Sequence, residues 1–232
     1  MNRRIVLSAD DLSLEQLLPL VEVAGSHLYA VKIHDLYDDH GKDSIRWLKN
    51  NDVRVWIDAK LCDIPKTVAL RSAVYKKHGA DILTVHASGG VDMMEAAREH
   101  GPAEIYGITV LTSLDDDEVR EIFNREIVDQ VSRLSSLISK AGLNGIVCSP
   151  NELTTLKRMS DLGPDMKFVT PGIRSVGVSA DDQQRIATPG QAVLNGSTYL
   201  VIGRQITKAK DPVLAIEQIE REIEEALSHQ GK

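Results

Sequence analysis

Residues 53–80 read VRVWIDAKLCDIPKTVALRSAVYKKHGA, a complete strand–loop–helix unit. Val53–Leu61 begins as an apolar, β-rich run, and Pro65 stands where a helix would start. Thr67–His78 carries a helical pattern, and Lys77–Ala80 (KHGA) places a basic residue and a glycine at its end. The strand departs from an ordinary core segment at its far end, where Asp58, Lys60 and Asp63 fall within six positions. Charged side chains are rarely buried unless paired, because desolvating each ion is costly. These charges must therefore compensate one another, meet a ligand, or both.

The same unit recurs along the chain. Strands are expected at Ile5–Asp10, Leu28–Ile33, Val53–Leu61, Asp81–Ala87, Glu104–Leu111, Gly145–Ser149, Phe168–Gly172 and Tyr199–Gly203. Most are continuous apolar stretches, as parallel strands covered by helices should be. Amphipathic helices are expected at Leu14–Ala24, Lys42–Asn50, Thr67–His78, Val91–Arg98, Asn124–Ala141 and Glu152–Ser160, with a charged closing helix at Val213–Ser228. Lys140–Leu143 (KAGL) repeats the helix-end signal of KHGA. Eight strand–helix units in 232 residues fit a single α/β domain over 1–232, a (β/α)₈ TIM barrel, whose usual size is about 250 residues. A doubly wound sheet would place a glycine-rich phosphate loop after its first strand, but here that strand runs into Ser8-Ala9-Asp10-Asp11.

Composition narrows the class. The chain is 42% hydrophobic and 26% charged with a formal net charge of -7, which argues against a general affinity for nucleic acid. Two cysteines, Cys62 and Cys148, make no disulfide framework and suit a reduced, cytoplasmic setting. The opening MNRRIVLSADDL is too briefly apolar for a signal peptide, and no run of about 20 apolar residues suggests a membrane span. A soluble intracellular protein is expected.

Barrel enzymes build their sites at the C-terminal ends of the strands. Those positions carry Asp10, Lys32, Asp58, Lys60, Asp63, His86, Thr112, Pro171, Arg174, Gly203 and Arg204. Taken singly, an aspartate there caps a helix and a lysine is solvated; four or five strand ends supplying charge together point to a site. Asp58 and Lys60, two apart on a strand, should project to one face. With carboxylates on either side, Lys60 should stay an ammonium and serve as proton donor and electrostatic anchor. A Schiff-base lysine needs the reverse. The last two units, VTPGIR (169–174) and YLVIGRQIT (199–207), form the usual phosphate corner. There Gly203 permits close backbone approach, Arg174 and Arg204 supply guanidinium donors, and Gln183 adds a neutral one. His86 in TVHASGG reads as a structural group closing a core strand, and Cys62 as a small packing residue. His34, His40 and the acidic run Asp115–Glu118 read as loop and helix-start chemistry, and no zinc-ligand spacing is present.

DAKLCDIPKT resembles the Asp-x-Lys-x-x-Asp-Ile-Pro-x-Thr signature of the orotidine 5′-phosphate decarboxylase family. LSAD, VKI, TVHASGG, TVLTS, TPGIR, DQQR followed by ATPGQA, and VIGRQIT are similar, in order, to the motifs of its bacterial-type members. Ala59 and Cys62 are the small departures. The resemblance implies cofactor-free decarboxylation of orotidine 5′-monophosphate to uridine 5′-monophosphate, the last step of pyrimidine biosynthesis. By the same carry-over Lys60 protonates carbon 6, Asp58 sits beside the substrate carboxylate, and Lys32 and Asp63 complete an alternating charged array. Asp10, Lys32 and Thr67 would hold the ribose, and Thr112 the base region. Arg174, Gln183, Gly203 and Arg204 would hold the phosphate, with Pro171 beside them. Asp63 and Thr67 would serve the neighbouring subunit's site, which implies a homodimer, and Ser175–Gln184 is the candidate lid. Sugar-phosphate decarboxylases and hexulose-phosphate synthases share Asp-x-Lys-x-x-Asp but use magnesium; Ile64-Pro65-x-Thr67 and the TPGIR…DQQR pair favour the cofactor-free enzyme. A non-catalytic nucleotide-binding barrel would not need a lysine between carboxylates.

Overall fold

The computed structural model describes residues 3–10, 12–176 and 186–229. Eight parallel strands close on themselves in chain order: β1 (Ile5–Ser8), β2 (Leu28–Ile33), β3 (Val55–Leu61), β4 (Ile82–His86), β5 (Glu104–Ile108), β6 (Gly145–Val147), β7 (Lys167–Thr170) and β8 (Tyr199–Ile202). β1 pairs with both β2 and β8, which closes the barrel. The helices are α1 (Leu14–Ala24), α2 (Asp35–His40), α3 (Lys42–Lys49), α4 (Pro65–His78), α5 (Val91–His100), α6 (Asp116–Phe123), α7 (Ile127–Lys140), α8 (Leu153–Leu156), α9 (Pro189–Asn195), α10 (Arg204–Thr207) and α11 (Pro212–His229). The expected single (β/α)₈ barrel is the observed architecture. Among the described residues no helix is long and apolar enough to cross a membrane.

Strand alternation divides the core in two. Val6, Ala30, Trp56, Ile82, Tyr106, Val169 and Val201 point into the barrel and pack on one another. Their neighbours of opposite parity, such as Ile5, Leu7, Val31, Ile33, Ile57 and Leu83, face outward and join the helices in the larger core. Each helix contributes a buried stripe, as with Leu17, Leu20, Val21 and Ala24 of α1.

The helix-end signals act as read. Pro65 is the first residue of α4, and Gly79 ends that helix at φ 95°, a conformation that side chains with a Cβ resist. Two helix expectations are corrected. Asn124 does not begin a helix; it adopts the left-handed conformation (φ 53°) that terminates α6, so α7 starts at Ile127. The segment expected as Glu152–Ser160 is a 3₁₀ turn, Pro150–Glu152, followed by one turn of helix.

The bottom of the barrel, where strands begin, is closed by a network absent from the sequence reading. The Glu104 carboxylate takes Arg54 Nη2 at 2.7 Å, Lys167 Nζ at 2.9 Å and the Tyr29 hydroxyl at 3.0 Å, and it also accepts the Tyr106 hydroxyl. Tyr29 and Tyr199 stack with centroids 3.6 Å apart, and the Arg54 guanidinium lies 4.5 Å over the Tyr29 ring. Burial would push the Glu104 carboxyl up, but Tyr106, Lys167 and Arg54 bring it down to about 2.

Candidate active site

Moving two residues along each strand from the inner apolar ring reaches the opposite end of the barrel. The positions so generated are Ser8, Lys32, Asp58, Thr84, Ile108, Pro171 and Gly203. All but Thr84 line a cavity of about 350 Å³, joined there by Asp10, Trp56, Lys60, Thr112, Arg174 and Arg204. Ile108, Val110, Val147 and Val201 supply an apolar part of the wall. Gly203 approaches β1 closely: a Cβ there would lie 3.3 Å from the Ser8 backbone oxygen and Cβ, tighter than ordinary contact.

One wall is an alternating line of charge. Lys32 Nζ lies 3.0 Å from Asp10 Oδ1 and 3.1 Å from Asp58 Oδ2. Lys60 Nζ donates to Asp58 Oδ2 at 2.6 Å. Neutral donors complete the carboxylates: Thr84 Oγ1 to Asp58 Oδ1 and Ser8 Oγ to Asp10 Oδ2, both at 2.6 Å. Burial raises the Asp58 carboxyl, but Lys32, Lys60 and the hydrogen bonds outweigh it and hold Asp58 far below the usual range. Asp10 is lowered for the same balance of reasons, chiefly through Lys32. Burial disfavours the Lys32 ammonium, but Asp58 and Asp10 overcome this and raise its pKa. All three groups are therefore charged near neutrality.

Two details differ from the expected picture. Within this chain it is Lys32, rather than Lys60, that lies between two carboxylates. Asp63 is exposed, with Oδ1 accepting the Ile64 N–H at 2.7 Å, and it does not line the cavity. Thr67 is also absent from the lining. Second, simple alternation is not what brings Lys60 to Asp58. The β3–β4 register shifts between Ile57 and Leu61, and Lys60 has φ 46°. A side chain with a Cβ held in that region costs roughly 1–2 kcal/mol, and such strain collects where surrounding structure imposes it for function. Thr84 supports the bulge, since its Oγ1 accepts the Lys60 N–H at 3.4 Å while donating to Asp58.

The phosphate-type corner is partly described. Pro171, Arg174, Gly203 and Arg204 all line the cavity, and Arg174 is buried with Nη1 donating to the Ile173 carbonyl at 2.8 Å. Gln183 and most of the Ser175–Gln184 segment lie outside the described residues. Thr112 lines the cavity from the loop after β5.

Sequence reading missed three neighbours. Thr84 carries no charge to flag it. His34 caps α2, accepting the Asp35 N–H at Nδ1 (2.7 Å), and its Nε2 lies 3.0 Å from Asp10 Oδ1. Cys148, buried, lines the cavity, whereas Cys62 is exposed and not the packing residue expected. His86 lies on the inward register of β4, two residues past Thr84, and outside the cavity lining. Burial lowers its pKa, and Lys60's charge adds to that shift while Asp58 opposes it. Asp10, His34 and Asp35 are the one group of three or more histidine, cysteine or carboxylate residues, among the described residues, whose ligand atoms lie within 4.8 Å of one another.

Comparison with known proteins shows what the whole chain is similar to. The family model described as Orotidine 5'-phosphate decarboxylase / HUMPS family matches residues 3–219. Orotidine 5'-phosphate decarboxylase of Streptococcus pyogenes serotype M5 is 39% identical over 226 residues, covering 94% of this chain and 97% of that protein. The Hahella chejuensis protein of the same name is 39% identical over 229 residues, covering 95% and 97%. The crystal structure of orotidine 5'-phosphate decarboxylase from Lactobacillus acidophilus superposes with a TM-score of 0.81 at 31% identity, covering 95% of this chain and 99% of that one.

Proposed function

The chain belongs to the orotidine 5'-phosphate decarboxylase / HUMPS family, and from that premise we propose that it decarboxylates orotidine 5′-monophosphate to uridine 5′-monophosphate in pyrimidine biosynthesis. The reaction needs no cofactor and takes place in the cytoplasm. The observation that carries this reading is the continuous line Asp10–Lys32–Asp58–Lys60 in a cavity that Arg174, Gly203 and Arg204 also line. The bond from carbon 6 to the carboxylate breaks with its electron pair left on carbon 6. Carbon dioxide departs, and the Lys60 ammonium delivers a proton to that carbon. Asp58, held ionised by its partners, repels the substrate carboxylate, and this penalty vanishes as neutral carbon dioxide forms. The developing carbanion meets Lys60 instead, so stabilisation is greatest in the transition state. Lys32, held charged, keeps Asp10 and Asp58 in place and joins Asp10 and Thr67 at the ribose. Thr112 faces the base, and Pro171, Arg174, Gln183, Gly203 and Arg204 surround the phosphate.

Asp63 and Thr67 act in the neighbouring subunit's site of a homodimer. In support, neither lines its own chain's cavity, and the adjoining surface is apolar and exposed: Ile64 67%, Leu70 63% and Val74 44%. Ile64 precedes α4, and Leu70 and Val74 lie four apart on it, forming one patch beside Asp63 and Thr67. Mixing Asp63→Ala with Lys60→Ala subunits should restore part of the activity through hybrid sites. Mixed dimers without recovered turnover would rule out the shared site.

The decisive assay follows the ultraviolet absorbance of orotidine 5′-monophosphate with excess chelator, wild type beside Lys60→Ala. Loss of the substrate signal with wild type alone is the expected result. The family name also covers the magnesium-dependent HUMPS branch, and turnover of a sugar phosphate that chelator abolishes would move the chain there. The Asp10–His34–Asp35 group offers that branch little, since Asp10 Oδ1 already meets Lys32 and His34, and His34 Nδ1 accepts an N–H.

A further inference from the structure

Arg174 lies on the loop after β7, Arg204 opens α10 directly after β8, and both line the cavity. Two guanidiniums brought to one anion repel each other before it arrives, so their spacing must be imposed by the scaffold. The strands themselves impose little at this height. β7 and β8 pair only through Val169↔Tyr199 and Thr170↔Leu200, short of both arginines.

Where the ladder stops, one side chain takes over. Gln205, next to Arg204, reaches across to Ser175, next to Arg174. Its Oε1 accepts the Ser175 N–H at 3.0 Å, and its Nε2 donates to Ser175 Oγ at 2.6 Å. An amide engaged at both ends on one residue fixes orientation as well as distance. The root of the β7 loop is also tied down on its other side. Arg174 N–H donates to the Ala187 carbonyl and Ala187 N–H to the Gly172 carbonyl, each at 3.0 Å, around the Ile173↔Ala187 bridge. Gln205 lines a separate surface groove and not the cavity, so it does not touch the ligand. Being neutral, the clasp also adds no negative charge to compete with an anion.

We propose that Gln205 is a positioning residue that, through Ser175, holds Arg174 and Arg204 at the spacing that receives the phosphate monoester of the nucleotide. This rests on the assignment of that corner to phosphate under the proposed function. Preorganised donors bind an anion without first paying to be ordered.

The test is calorimetric titration of uridine 5′-monophosphate and of uridine into wild type, Gln205→Leu and Ser175→Ala, with thermal melts alongside. Gln205→Leu should weaken the nucleotide by roughly 5- to 20-fold and leave uridine unchanged; Ser175→Ala, which keeps the backbone N–H bond, should cost roughly 2- to 4-fold. Unchanged nucleotide affinity in both variants overturns the proposal. So does equal weakening of nucleotide and nucleoside, which would mean general loosening. If Gln205→Leu fails to fold, Ser175→Ala decides alone by the same criterion. If wild type binds uridine as tightly as the nucleotide, the phosphate assignment itself fails and the clasp falls with it. If wild type prefers the nucleotide and the variants match it, only the clasp fails.

Discussion

The barrel carries a charged cluster at each end, built from similar residues and put to different uses. At the bottom, Glu104 is surrounded by Arg54, Lys167, Tyr29 and Tyr106, and stacked tyrosines cover the assembly. At the top, Asp10, Lys32, Asp58 and Lys60 alternate, and the line stops at a lysine whose side chain is 39% exposed. The bottom cluster converges on one carboxylate. The top one is a chain with an open end facing a cavity. Composition therefore does not separate a structural ion cluster from a reactive one; the separation lies in whether the last donor is covered.

Substitutions at three positions break that contrast or sharpen it. The largest effect is expected from Asp58→Asn, which leaves Lys32 and Lys60 without the carboxylate between them. Decarboxylation should fall on the order of 10³-fold, read as kcat/KM, and the variant should also melt earlier. Glu104→Gln should do the opposite. Two cations at a half-buried site lose their anion, so unfolding in urea should show a loss of about 2–4 kcal/mol, with kcat at 25 °C unchanged. A kcat loss there matching that of Asp58→Asn would dissolve the distinction between the ends. The same site carries a pH signature. Because the folded Glu104 carboxyl is depressed to about 2, its stabilising contribution is complete above its unfolded value. That contribution fades as pH falls from about 4.5 toward 2. Acid melts of wild type should steepen in that window, and those of Glu104→Gln should steepen less, since Asp10 and Asp58 keep their own depressed carboxyls. The smallest effect concerns the bulge. Lys60→Gly and Lys60→Ala should both be inactive, but the glycine variant should be more stable by about 1 kcal/mol, since only glycine adopts φ 46° without strain. Equal melting temperatures would mean that the backbone relaxes once the lysine is gone.

The top of the molecule was far more legible in the sequence than the bottom. Asp58, Lys60 and Asp63 announce themselves because three charges interrupt one apolar run, and Arg174 and Arg204 follow strand ends that periodicity locates. Tyr29, Arg54, Glu104, Lys167 and Tyr199 sit within one residue of the starts of five different strands. Each is unremarkable in its own segment, and only barrel closure brings them together. The bulge at Lys60 was hidden for another reason: no glycine or asparagine marks the positive φ, because the conformation is imposed by tertiary contacts such as Thr84. Asn124 did carry a signal, its tolerance of the left-handed region, but it stood at the head of a helical pattern that outweighed it. His34 read correctly as a cap, yet a cap's second ring nitrogen has no sequence signature.

Trp56 and Tyr106 meet edge to face at 5.3 Å inside the barrel. Trp56 borders the cavity, and Tyr106 hydrogen-bonds Glu104. One aromatic pair thus stands between the two electrostatic systems and acts as an insulating partition along the barrel axis. Change accumulating on one side of such a partition is only weakly felt on the other. The scaffold can then be retasked at its mouth by exchanging strand-end residues while its foundation is left intact, a separation of evolutionary risk built into a single layer of rings.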